Sequence, residues 1–235
     1  MMAYPIVGAA NIARLIGLCS GAELIVSLDG VEAASAWQKA LQAADLTLDY
    51  LLIIDCGLHR FGVKPAEALE LANRLKTCNN LTLRGIATHP GQVYACSDME
   101  GVRRVAGQEG AALQIAKSNL VRGGYPIDIV ATGSTPTAEI IAQSKGATVL
   151  RPGNYVFYDN IQKSMGVVDE KRCALTVLAT VLSRPASDTL IIDAGSKCLG
   201  LDKGAHGIAS LEGFGHIKGH PGLVVTDLSE EVGKI

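Results

Sequence analysis

Apolar positions along the chain fall in short blocks, separated by glycine-bearing loops and by stretches of helical spacing. Glu23–Leu28 (ELIVSL), Leu48–Asp55 with YLLIID at its heart, Leu81–Thr88 (LTLRGIAT), Asp128–Ala131 and Thr148–Leu150 are such blocks. Runs of this length, rich in β-branched residues and stopped by Gly or Pro, predict buried strands. Between them apolar residues recur every three to four positions. Ile12, Leu15 and Ile16 predict a helix over Ala9–Cys19; Ala34, Trp37, Ala40 and Leu41 predict one over Val31–Ala44. Pro65 and Pro136 stand where two further helices open, and a long polar helix covers about Asp98–Asn119.

Ala3–Gly8 reads as the tail of one more strand with its exit turn. Strand ends then fall near Val7, Leu28, Asp55, Thr88, Thr132 and Leu150, six in all. A repeat of strand, glycine-containing loop and helix predicts buried parallel strands. The expectation is an α/β fold, a (β/α)8 barrel of the TIM type, with two of its eight strands lying before Met1. After Asp159 the pattern changes. Cys173–Leu182, Thr189–Asp193 and Gly219–Leu228 are apolar stretches with no helix between them, as in an antiparallel β domain. The expected division is 1–165 for the barrel and 166–235 for the β domain, both incomplete.

Composition narrows the class. The 235 residues are 48% hydrophobic and 19% charged, which suits a globular protein with a substantial core. A net charge of −2 gives no footprint for nucleic acid or an anionic membrane. The six cysteines form no C-x-x-C pair and no zinc-type spacing, and the first residues carry no basic leader, so reduced thiols in the cytoplasm are expected.

The candidate chemistry sits after the strand ends, where ligands bind in parallel α/β folds. The central stretch is Ala147–Asp159, ATVLRPGNYVFYD. Arg151 sets a permanent cation at a strand end. Gly153 permits close approach of a backbone or a phosphate, and Asn154 offers donors to an anion. Gly133-Ser134-Thr135 precedes Pro136, and reads equally as an anion seat at a helix start or as a Ser/Thr N-cap. His89 and Tyr94 are candidate acid/base or hydrogen-bonding groups, with Gln92 between them. Arg60 either pairs with Asp55, meets a ligand oxyanion or lies on the surface. Lys197 follows a strand of the second region and reads as structural. His206, His216 and His220 lie in a Gly-rich tail without metal-ligand spacing.

At these residues the chain resembles the D-threonine aldolase and D-serine dehydratase family, within the alanine racemase-like enzymes. The matching stretches are AYPIVG, DCGLHRFGV, THPGQVY, TGSTPTA, RPGNYVFYD, IIDAGSK and LSEE, in order along nearly the whole chain. The resemblance implies a barrel that binds pyridoxal 5′-phosphate (PLP), followed by a β domain. It implies that Ser134, Thr135, Gly153 and Asn154 hold the phosphate. It places Tyr94, with His89 and Gln92, beside the cofactor, Arg60 at its phenolic oxygen and Arg151 near its pyridine nitrogen.

Two family features lie outside the match. The family's Schiff-base lysine is expected upstream of Met1, and its divalent-metal ligands, for zinc or manganese, downstream of Ile235. No catalytic residue and no metal ligand is therefore assigned within this chain. Val232 stands where the family usually has a histidine after its Glu-Glu pair. The implied function is a PLP-dependent lyase acting on D-β-hydroxy amino acids, with this chain alone expected inactive. The implied partners are a small D-amino acid and a second copy in a homodimer, with neither nucleic acid nor membrane. The alternatives are a non-catalytic PLP-binding protein and an inactive remnant.

Overall fold

The computed structural model describes residues 1–144, 146–206, 208–209 and 211–235. Residues group into two compact units, 1–90 with 103–152, and 91–102 with 153–235. None of its helices is long and apolar enough to cross a membrane.

The first unit alternates strand and helix. In order it carries α1 (Ala9–Leu18), β1 (Ile25–Leu28), α2 (Val31–Ala43), β2 (Leu48–Ile53), α3 (Ala68–Leu75), β3 (Leu81–Ala87), α4 (Met99–Arg122), β4 (Ile129–Thr132), α5 (Thr135–Gln143) and β5 (Val149–Leu150). The first turn of α4 groups with the second unit. The strands form one sheet in the order β1-β2-β3-β4-β5, all parallel. Each new strand joins the same edge. Right-handed crossovers then put every helix on one face, which is the winding of a barrel wall and not of a doubly wound sheet. Burial follows this division. Val26, Leu28, Tyr50, Leu52, Ile54, Ile86 and Val130 pack outward with Trp37, Leu41, Leu71 and Leu120 of the helices. Leu51, Ala87 and Ala131 form a separate inner cluster, with Ile25, Ile129 and Val149 against it.

Five strands are observed where six strand ends were expected. Residues 1–7 make no strand, although Met2 N–H donates to the Ile25 carbonyl at 2.8 Å. Pro5 has no N–H to extend that pairing into a ladder. Side chains fasten the segment instead: the Ser27 hydroxyl donates to the Met2 carbonyl and the Trp37 indole to the Ile6 carbonyl, at 2.7 and 3.0 Å.

β3 carries an irregularity. Tyr50 pairs with Leu83 and the next residue, Leu51, with Gly85, so Arg84 is the extra residue. Arg84 reaches Asp49 and Asp128 at 3.0 and 3.3 Å. A Cβ on Gly85 would lie 2.0 Å from the Ile129 carbonyl oxygen, so no larger residue fits there.

The second unit holds a short helix α6 (Asn160–Ser164) and the strands β6 (Val181–Ala186), β7 (Thr189–Ile192), β8 (Gly204–Ala205), β9 (Ile208–Ala209), β10 (Gly215–Ile217), β11 (His220–Val225), β12 (Asp227–Leu228) and β13 (Gly233–Lys234). Four of them form an antiparallel sheet in the order β12-β13-β7-β6. Its core is small: Ile192, Ala194 and Val225, with Phe214, Leu228 and Ile235 packed against them. The strand expected over Cys173–Leu182 begins only at Val181; residues 173–180 have no ladder partner.

Candidate functional site

Polar groups of the first unit collect past the C-terminal ends of the parallel strands, where the ladder runs out of partners. Thr88, just past β3, is buried. Its hydroxyl donates to the Ile54 carbonyl at 2.6 Å and its N–H to the Ala131 carbonyl at 3.0 Å. Its own carbonyl accepts Arg151 Nη2 at 2.8 Å, while Arg151 N–H donates to the Thr132 carbonyl at 2.9 Å. One arginine thus ties together the exits of β3, β4 and β5. Arg151 Nε and Nη1 are buried, and no described residue accepts from either. Burial lowers the pKa of this guanidinium, yet arginine starts so high that it stays charged.

Ser134 is the N-cap of α5 and closes a capping box with Thr137: Ser134 N–H donates to Thr137 Oγ1 at 3.3 Å. Thr135 is the first helical residue, and both Ser134 and Thr135 are buried. Gly133, at φ 102°, lies in the left-handed region, and a Cβ there would be 3.8 Å from the Arg151 nitrogen. Ser134 and Thr135 therefore stand on the strand exit next to that of Arg151.

Beneath this loop lies a residue that sequence reasoning missed. Glu109 of α4 is 0% exposed. Its Oε1 accepts the Gly133 N–H at 2.9 Å and the Thr132 hydroxyl, while Oε2 has no partner among the described residues. Burial pushes the Glu109 carboxyl up, and bonds from Thr132, Thr137 and Gly133 only partly offset this. The signal was present. Val102, Val105, Ala106, Ala112, Leu113, Ala116 and Leu120 form the buried stripe of α4, and Glu109 falls in the middle of it.

At the exit of β2 the Asp55 carboxylate accepts Gly57 N–H at 2.9 Å and His59 N–H at 3.1 Å, and meets His59 Nδ1 at 2.7 Å. Burial alone would raise its pKa, but these bonds outweigh it and hold the carboxyl below its usual range. Arg60 lies with its guanidinium 4.9 Å from the centre of the Phe61 ring. His89 is half-buried, next to Thr88.

In the second unit Gln92 and Tyr94 share the tight turn Gly91–Ala95. Tyr94 is buried, and its oxygen accepts Gln162 Nε2 at 3.3 Å. Burial raises the Tyr94 pKa; the Gln162 bond pulls it down and the Asp159 charge pushes it up. Gln162 is 0% exposed, and its Oε1 has no partner among the described residues. Asp159 caps α6: its Oδ1 accepts Gln162 N–H at 3.0 Å and its Oδ2 the Asn154 Nδ2 at 2.5 Å. Asn154 and Tyr94 are thereby joined through Asp159 and Gln162. Gly153 is exposed, with no atom of the described residues within 4 Å of a Cβ placed on it. His206, given no role in the sequence reading, has its ring 5.4 Å from that of Tyr94. Lys197 forms an exposed ion pair with Glu231, which fits its structural reading.

These residues suit a small anionic heterocycle such as PLP. Arg151 brings two buried N–H groups without acceptors, and protein packing gives no reason for Gly153 to lack a side chain. Among the described residues no three His, Cys, Asp or Glu gather to hold a metal ion, so no step is derived through one.

Comparison with known proteins agrees with this reading of the fold. The alanine racemase N-terminal domain family matches residues 6–160, and a serine dehydratase domain family matches residues 174–235. The D-threo-3-hydroxyaspartate dehydratase of Delftia sp. (strain HT23) is 31% identical over 91% of this chain and 58% of its own length. The D-threonine aldolase of Arthrobacter sp. is 30% identical over 98% of this chain and 59% of its own. The solved structure of the Delftia dehydratase superposes with a TM-score of 0.87 at 30% identity, over 97% of this chain and 62% of that one. The chain thus spans about three fifths of the length of these relatives. With an alanine racemase N-terminal domain over most of its length and a serine dehydratase domain after it, the chain belongs to the alanine racemase-like family that includes the D-threonine aldolases and D-serine dehydratases.

Proposed function

We propose that this chain is the cofactor-binding part of a PLP-dependent lyase acting on D-β-hydroxy amino acids. Arg151 carries the reading. A desolvated guanidinium with two nitrogens lacking acceptors is costly to fold unless something from outside the chain accepts from it. The heteroatoms of PLP are such acceptors, and the family resemblance assigns Arg151 to the pyridine nitrogen. Under the same reading Ser134, Thr135, Gly153 and Asn154 bind the phosphate. Arg60 meets the phenolic oxygen, and Tyr94, His89 and Gln92 line the cofactor. When bound, PLP supplies an electron sink. The chain's own part is to hold that ring in one orientation, so that one bond of the substrate's α-carbon stands perpendicular to it. The relatives named above are a dehydratase and an aldolase, so the reaction class is loss of the β-hydroxyl or cleavage of the Cα–Cβ bond.

A second observation limits what the 235 residues do alone. Every described lysine is exposed or half-buried, whereas a lysine that bonds the cofactor carbonyl needs a desolvated setting to lose its proton. We therefore propose that the chain binds PLP and does not turn over substrate by itself. A barrel region ending near residue 165, and assembly as a homodimer, belong to the same proposal.

The test is a titration of the full chain with PLP and with pyridoxal, which lacks the phosphate. PLP is expected to bind more tightly, and Arg151→Ala to weaken it by about tenfold, as for one charge-assisted hydrogen bond. Equal affinity for the two compounds sinks the binding reading. Turnover of D-threonine or D-serine by the chain as given sinks the claim of inactivity.

A further inference from the structure

Gln162 has no role in the function proposed above, yet it is fully buried and half-satisfied. Its Nε2 donates to the Tyr94 oxygen at 3.3 Å, and its Oε1 has no partner among the described residues. Burying an amide with one end unpaired costs about 1–3 kcal/mol, and Gln162 sits in a helix of only five residues, where a leucine would satisfy packing. The phenol is the other half of the puzzle. A hydroxyl has one proton to give and two lone pairs to fill. With Gln162 occupying a lone pair, the Tyr94 proton has no acceptor among the described residues. Asp159 sets the direction of the amide by anchoring the Gln162 N–H with one oxygen and Asn154 with the other.

We propose that Gln162 is the positioning residue of Tyr94: by donating to the phenol oxygen it turns the Tyr94 O–H outward, toward an anionic oxygen of the bound ligand. An acceptor in place of the Gln162 amide N–H would draw the hydroxyl inward and leave the ligand without its donor. The assignment rests on the reading that the chain binds PLP with Tyr94 beside it.

The experiment is a double-mutant cycle on PLP affinity. Wild type, Y94F, Q162L, Q162E and the two Gln162 substitutions in the Y94F background are titrated with PLP, each after a cooperative melt has shown it folded. Y94F and Q162L are each expected to weaken PLP about tenfold, the worth of one hydrogen bond to a charged group. The double variant is expected to be no weaker than Y94F. Q162E keeps the size of the side chain and, as a carboxylate, can only accept. It is expected to weaken PLP at least as much as Q162L and to be silent in the Y94F background; it carries the cycle if Q162L does not fold. The phenolate absorbance of Tyr94, isolated as wild type minus Y94F, should titrate at higher pH once Gln162 no longer donates, a change that loss of packing alone does not make. Gln162 variants that bind PLP like wild type, losses that multiply with Y94F, or an unmoved Tyr94 titration each overturn the assignment. If wild type shows no preference for PLP over pyridoxal, the proposed function fails and takes this with it. A normal wild-type preference with multiplying losses removes Gln162 alone.

Discussion

The two units use similar sequence material to different effect. In the first, apolar blocks alternate with amphipathic helices, and each strand meets a helix that covers it; Leu28, Trp37, Leu41, Leu51, Leu52 and Ile86 are all fully buried. In the second, the run Ala174–Leu182 is as apolar as any strand of the first, yet Leu175 is 71% and Leu178 100% exposed in the structure. The core there rests on three buried residues and their neighbours. Hydrophobicity marks what a segment gains by being covered. Whether it is covered depends on the partner that topology delivers, and the βα repeat delivers one at every step.

That contrast can be broken by mutation. The largest effect is expected at Trp37, which is fully buried and also donates to the Ile6 carbonyl. Trp37→Ala should cost about 3–5 kcal/mol in denaturant unfolding; a cost under about 1 kcal/mol would mean the first core is not the stronger. Ile192→Ala, in the smaller core of the second unit, should cost about 2 kcal/mol, near the lower end for such truncations. A loss equal to that of Trp37→Ala would erase the distinction.

A smaller, pH-dependent effect belongs to Glu109. Its folded pKa is raised, chiefly by burial. Above the ordinary carboxylate pKa the folded state therefore holds more protons than the unfolded one, and stability falls as pH rises through the folded pKa. Below the unfolded pKa that penalty is absent. Glu109→Gln should remove the slope, which for one proton is at most about 1.4 kcal/mol per pH unit. Parallel stability curves for the two proteins from acid to neutral pH would show that Glu109 does not titrate in this way. The smallest effect is expected at Leu178, where Leu178→Ser should change stability by no more than about 0.5 kcal/mol. A loss above about 1 kcal/mol would mean that the exposed run is covered after all.

Legibility in the sequence follows the same divide. Strands β1 to β4 and helices α1, α2 and α4 stand close to where periodicity puts them, because each is long enough to repeat its pattern and is bounded by Gly or Pro. The strand expected before Gly8 is absent because one proline removed the donor a ladder needs. At the site, Arg151, Ser134 and Thr135 were visible from position alone, since strand exits are where such groups act. Glu109 and Gln162 were not. Glu109 was one acid in a helix read as polar, and only its place on the apolar stripe gives it away. Gln162 lies in a helix too short to have a stripe, and its meaning comes from Tyr94, 68 positions earlier.

The extra residue in β3 has a consequence for how this gene tolerates change in length. Leu81 and Leu83 face the helices; past Arg84 the phase turns, so that Ile86 faces them and Ala87 the inner cluster. A strand alternates with a period of two, so one residue more or fewer inverts everything downstream. Loss of the single codon for Arg84 would present Ala87 to the helices and swing the Thr88 carbonyl away from the Arg151 guanidinium that it holds. Substitutions at Arg84 trim two surface ion pairs, whereas its deletion rewrites the reading frame of the wall itself.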